Sequence, residues 1–197
     1  MKTDRIELFS DGVFAIAITL LVLEIKVPEG GSLGLGLLNL WPSYNAYAIG
    51  FIVIGAIWIN HHAMFEWIVR ADQRLLFLNT LQLMFIAFLP FPTAVLAEAF
   101  HTGSDLHIAT AFYSGTLTII GVLVNVMWRY AASHRELLDD TISAEQAKAI
   151  GRRFLVGPIW YGVATILGFV GLWWLSLILF IGLNAYFLLP HRYQVAS

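Results

Sequence analysis

Six apolar stretches, at roughly 6–27, 43–69, 75–100, 106–130, 153–170 and 172–190, occupy most of this 197-residue chain. Each approaches the roughly 20 residues a helix needs to cross the hydrocarbon core of a bilayer. In lipid a spanning backbone must satisfy its own hydrogen bonds, which favours helices for runs of this kind. The pattern predicts an all-α integral membrane protein with six transmembrane helices. Only 12% of the residues are charged, against roughly 25% in a soluble domain, so residues 1–197 read as one transmembrane domain with no room for a separate soluble lobe.

Basic residues set the orientation, because Lys and Arg are retained on the cytoplasmic side. With six spans, Lys2, Arg5, Arg70, Arg74, Arg129, Arg135, Lys148, Arg152, Arg153 and Arg192 fall on one side and Lys26 alone on the other. Both termini are therefore expected in the cytoplasm. No small-x-small cleavage site follows the first stretch, which reads as a retained helix and not a signal peptide. The chain has no cysteine and a net charge of -2, which excludes disulfides and thiolate metal sites and gives no argument for nucleic acid.

The first stretch carries the least ordinary chemistry. From Gly12 to Leu23 its only polar side chain is Thr19, yet Ser10 and Asp11 stand just inside its start, where a charge must find a partner or water. At about 100° per residue, Gly12, Ile16, Thr19, Leu20 and Leu23 share one face, and Asp11 points about 140° away from Ile16. Buried polar groups in a membrane need partners, and Trp58, His61 and Asn79 of the second and third stretches are candidates for Ser10 and Asp11. A plain helix N-terminus reaching headgroup water is the other reading of Asp11.

Arg5-x-x-x-Phe9-Ser10-Asp11, followed by Ile16, Thr19, Leu20 and Leu23, resembles the signature first helix of the transmembrane protein 175 family of potassium channels, in its short prokaryotic branch. Trp58-x-x-His61 is a second such feature, and the length suits one six-helix repeat. The resemblance implies a homotetramer in the cell membrane of a prokaryote, with the first helices lining a central pore, potassium as the permeant ion, and no cofactor. It makes Ile16, Thr19, Leu20 and Leu23 pore residues and gives Arg5, Phe9, Ser10, Asp11, Trp58, His61 and Asn79 a structural role.

The remaining motifs point to no chemistry. His61 and His62 are adjacent, about 100° apart on a helix, which does not suit a metal. Glu98, His101, Asp105 and His107 read as ordinary polarity of an outer loop. Pro90-Phe91-Pro92 removes two backbone donors and predicts a break or kink, read as a structural bend, while Gly157-Pro158 marks the start of the fifth span. The loop 28–42 is expected to hold a short interfacial helix from Leu35 to Trp41, and 131–150 reads as a solvated cytoplasmic linker. No nucleophile, metal set or His-x-x-x-His pair supports an enzyme. A small secondary transporter or a proton-conducting membrane protein is the alternative to a channel.

Overall fold

The computed structural model describes residues 3–188, so Lys2 and Arg192 of the orientation argument, and the end of the sixth stretch, lie outside the described residues. The described chain forms α1 (Asp4–Leu20), a 3-10 turn (Leu21–Glu24), α2 (Leu33–Asn39), α3 (Trp41–Phe65), α4 (Gln73–Phe88), α5 (Pro90–Thr102), α6 (Leu106–Ser133), α7 (Ala144–Phe154), α8 (Val156–Phe169) and α9 (Trp173–Leu188). Four elements among these are long and apolar enough to cross a bilayer: 4–24, 41–65, 73–102 and 106–133.

The fifth stretch is shorter than the sequence suggests. It is interrupted at Leu155, where α7 ends and α8 begins, leaving 14 residues in α8. At 1.5 Å per residue α8 reaches about 21 Å, less than the roughly 30 Å hydrocarbon core. Pro158 accounts for the start of α8, since a residue without an N–H is tolerated in a first turn and not in a helix interior. The expected bend in the third stretch is a break: α4 stops at Phe88 and α5 starts at Pro90. There the Leu89 amide donates to Ile86 in a tight turn, and Thr93 Oγ1 donates back to the Leu89 carbonyl at 2.8 Å. The interfacial helix is α2, two residues earlier than expected at each end, because Pro42 lies in the first turn of α3 and fixes that helix's start at Trp41.

Two buried clusters organise the bundle. One joins Phe14, Ala17 and Leu21 of α1 to Val53, Ile54, Leu83, Ile86, Leu117 and Ile120. The other lies at the end of the bundle where α1 begins and includes Ile6, Met64, Phe65, Leu75, Trp128, Leu138, Ile142 and Ile150. Membership of that second cluster overturns the reading of 131–150 as a solvated linker. Leu137 accepts from the Val69 and Arg70 amides at 3.0 and 3.1 Å, and Asp139 donates its amide to Trp67 at 2.9 Å, so the connector pairs antiparallel with the loop after α3. Trp128 Nε1 donates to the Ala147 carbonyl at 3.0 Å. Asp72 caps α4 by accepting from the Leu75 amide at 2.8 Å and takes a short hydrogen bond from the Tyr130 hydroxyl. Burial raises the Asp72 carboxyl, but the bonds from Tyr130 and from the Leu75 and Arg74 amides outweigh it and hold the group below the usual carboxylate range.

Small residues bring α6 and α8 together. Without a hydrophobic force between helices in lipid, close backbone approach is what gains dispersion energy. A Cβ on Gly168 would lie 2.8 Å from the Ala111 backbone nitrogen, and one on Gly121 would lie 3.0 Å from that of Pro158. Thr118 and Thr165 meet hydroxyl to hydroxyl at 3.3 Å between them. Gly168→Ala is therefore expected to force the helices apart at a cost of about 1–3 kcal/mol, seen as a lower thermal midpoint in detergent. Gly162→Ala, whose new carbon would sit 3.9 Å from the Thr118 methyl group, should leave the midpoint nearly unchanged; equal losses in the two would show that this approach is not tight.

Candidate functional site

α1 is divided along its length. Ile6, Ser10, Phe14, Ala17 and, just past its end, Leu21 are buried, and on a helical count they centre about 120° from the direction of Ile16. The opposite side is uncovered: Ile16 is 60% exposed, Leu20 38% and Leu23 62%, with Gly12 and Thr19 exposed among them. A helix packed on one side only would have a poorly fixed azimuth if it relied on methyl groups. Polar contacts near its start supply the register.

Ser10, Asn79 and His61, on α1, α4 and α3, are all buried and joined in one chain of hydrogen bonds. Ser10 Oγ donates to the Ile6 carbonyl at 2.8 Å. Its oxygen then accepts from Asn79 Nδ2 at 3.1 Å, which leaves Asn79 Oδ1 to accept from His61 Nε2 at 2.8 Å. Since Asn79 accepts, the network assigns the imidazole proton to Nε2. The His61 ring lies between Phe65, stacked at 4.7 Å, and the edge of Phe14 at 5.4 Å. Beside this buried chain Trp58 Nε1 donates to Asp11 Oδ1 at 2.8 Å, a charge-assisted bond at the more exposed edge of α1.

The structure thus brings Ser10, Asp11, Trp58, His61 and Asn79 together. Arg5 and Phe9 lie on the exposed side of α1, outside that group. His61 and His62 face different surroundings: His62 is exposed and stands 4.0 Å from Glu66. Phe14 belongs to the site although the sequence did not single it out; its signal was its place one turn after Ser10. Gln82, one turn after Asn79, is fully buried, and among the described residues nothing partners its amide.

Past the end of α1, Lys26 Nζ donates to the Leu23 carbonyl at 3.0 Å, placing a cation where the helix leaves carbonyls unpaired. Thr19 Oγ1 donates to the Ile16 carbonyl at 2.9 Å.

Comparisons with known proteins converge on one family. The family described as "Endosomal/lysosomal potassium channel TMEM175" matches residues 5–90. A potassium channel of Streptomyces collinus is 42% identical over 172 residues, covering 86% of this chain and 84% of that one. A potassium channel of Chamaesiphon minutus is 43% identical over 177 residues, covering 87% of each. The crystal structure of a homologue of the lysosomal potassium-selective channel TMEM175 from Chamaesiphon minutus superposes with a TM-score of 0.83 at 42% identity, over 94% of this chain and 95% of that one.

The buried chain of bonds predicts an order of damage. An interhelical hydrogen bond in a membrane bundle averages about 0.6 kcal/mol, whereas orphaning a buried partner costs about 1–3 kcal/mol. Asn79→Leu removes both interhelical bonds and strands His61 Nε2, although Ser10 keeps its bond to the Ile6 carbonyl, and should lower the thermal midpoint in detergent more than Ser10→Ala, which removes one bond and leaves Asn79 bonded to His61. A melt in which Ser10→Ala equals or exceeds Asn79→Leu would place the hub elsewhere.

Proposed function

This chain belongs to the TMEM175 family of potassium channels, and from that membership we propose that it is a potassium-permeable channel in the plasma membrane of a bacterium. In this reading residues 1–197 form one channel domain with six transmembrane elements, α1, α3, α4–α5, α6, α8 and α9, the short α8 spanning by local thinning of the bilayer. Both termini are cytoplasmic, an orientation supported by Arg70, Arg74, Arg129, Arg135, Lys148 and Arg152 at one end of the bundle and Lys26 at the other. Four subunits assemble with their α1 helices around the axis. Potassium is the permeant ion and no cofactor takes part.

The observation that carries this reading is the two-sided character of α1. One side is packed and hydrogen-bonded within its own subunit, while Ile16, Thr19, Leu20 and Leu23 are left uncovered on the other. One subunit with such a helix cannot enclose an aqueous path, but four can, each contributing the same face. Ile16 then forms the narrowest ring, with Leu20 and Leu23 above it toward the outside. An aliphatic ring offers an ion no ligands, so passage depends on partial dehydration and on the ring staying wet. Potassium holds its water less tightly than sodium, and that difference gives preference without carbonyl ligands. Asp11 lies about 140° from Ile16 on the helical count and is engaged with Trp58, so its role is assembly of the pore helix.

Purified protein in liposomes under opposed potassium and sodium gradients tests this. The wild type should show electrogenic potassium flux; strictly coupled substrate uptake with no electrical leak would favour a transporter instead. Ile16→Ala acts once per subunit at the same level of the pore, so total flux should rise several-fold and the potassium-to-sodium preference should fall. Ile16→Asn should act in the same direction by keeping the constriction wet. Ile18→Ala, about 160° away and packed toward the core, should leave the preference nearly intact. Equal permeability ratios in Ile16→Ala and Ile18→Ala would remove Ile16 from the ion path.

A further inference from the structure

Past Leu20 the first helix changes type. It continues through Leu21–Glu24 as a 3-10 turn, closed where the Ile25 amide donates to the Val22 carbonyl at 3.1 Å. Side chains three residues apart eclipse in a 3-10 turn, whereas in an α-helix they are offset by about 60°. The tightened turn therefore sets Leu23 in line above Leu20. Its rise of about 2.0 Å per residue, against 1.5 Å for an α-helix, also carries Leu23 farther toward the outer end.

Two contacts favour this turn. Thr19 Oγ1 bonds back to the Ile16 carbonyl, competing for the acceptor that the α-helix uses for the Leu20 amide. On the packed side, Leu21 is 1% exposed and fills a notch beside Gly50 of α3 and Thr93 of α5. A Cβ on Gly50 would stand 3.2 Å from Leu21 Cδ2 and from Thr93 Cγ2, and 3.3 Å from Leu21 Cδ1. Any side chain at Gly50 must push Leu21 or Thr93 aside. Thr93 is buried and tied to the Leu89 carbonyl, so Leu21 is the member that gives way. With Leu21 1% exposed, its side chain has little room to turn away, and a shift of a few tenths of an ångström is passed through the backbone toward Leu23, two residues along the short turn.

We propose that the notch of Gly50 and Thr93, by seating Leu21, positions the outer hydrophobic layer at Leu23 and so controls how easily ions pass it. The inference rests on the reading that α1 lines the pore. Gly50 and Leu21 meet no ion on this view; they are positioning residues.

The absence of cysteine from the chain makes the test direct. Full-length Leu23→Cys protein in liposomes is treated with a small cationic thiol reagent while potassium and sodium fluxes are followed. If modification at Leu23 leaves flux unchanged, the pore reading itself fails. If modification reduces flux, Gly50→Ala, Gly50→Val and Leu21→Ala are then compared in the same background. The expected result is a several-fold faster modification of Leu23→Cys, larger for Gly50→Val than for Gly50→Ala, together with a lower potassium-to-sodium preference. Gly55→Ala, where a Cβ meets nothing within 4 Å, should match the parent. Assembled Gly50 and Leu21 variants that keep the parent's modification rate and ion preference, or shift them the opposite way, overturn the proposal. Should the Gly50 variants not assemble, Leu21→Ala, which empties the notch instead of overfilling it, decides alone.

Discussion

A helix that packs on one side only must be held in register by something other than the hydrophobic effect, because lipid tails are as apolar as its own side chains. In α1 that restraint is the bond chain from Ser10 through Asn79 to His61, with Asp11 and Trp58 at its edge. Hydrogen bonds are directional where methyl contacts are not, so three elements are fixed in height and rotation at once. The arrangement also answers a requirement of the medium. An unpaired polar atom in hydrocarbon is costly, and each of these groups satisfies another.

The other half of the bundle is held by different means. Between α6 and α8 the restraint is backbone proximity, with Gly168 against Ala111 and Gly121 against Pro158, and α9 is tied on by Ser176 Oγ donating to the Ala164 carbonyl at 2.6 Å. A cap, where the loop after α3 pairs with the connector after α6, closes both halves at one end. At the opposite end α1 finishes in a single 3-10 turn, held by Leu21 seated against Gly50 and Thr93.

Much of this was legible in the sequence, and the limits have physical causes. Apolar runs are visible because burial in lipid demands them, and Ser10, Asp11, Trp58, His61 and Asn79 stood out because polar groups within such runs are expensive. The break at Pro90 followed from a missing donor. What the sequence concealed depends on neighbours distant along the chain. Leu137, Leu138 and Ile142 read as part of a polar connector, since three apolar residues among charges carry no periodicity, yet they are buried where that connector packs against the bundle. Gly50 is one glycine among many in an apolar stretch, and its meaning comes only from Leu21 and Thr93. The 3-10 turn at Leu21–Glu24 is not announced by its own residues, and the contacts that favour it, the Thr19 back-bond and the seat of Leu21, emerge only in the fold.

The side chain of Thr19 shows how the two roles of α1 fit together if its exposed face lines the ion path. A hydroxyl is both donor and acceptor, and one whose hydrogen faced the axis would repel a cation. Here the hydrogen is spent within the helix, on the Ile16 carbonyl, and the lone pairs of Oγ1 are left on the exposed side. The same bond that disturbs the helix ahead of its 3-10 turn thus turns the only polar group between Gly12 and Leu23 into an outward-facing acceptor, which on the proposed reading would sit just above the Ile16 ring. A weak oxygen ligand at that height suits an ion that has given up part of its shell and must not be held. Tight coordination there would trap potassium, whereas an unbroken aliphatic wall from Ile16 to Leu23 would lengthen the dry stretch that it has to cross.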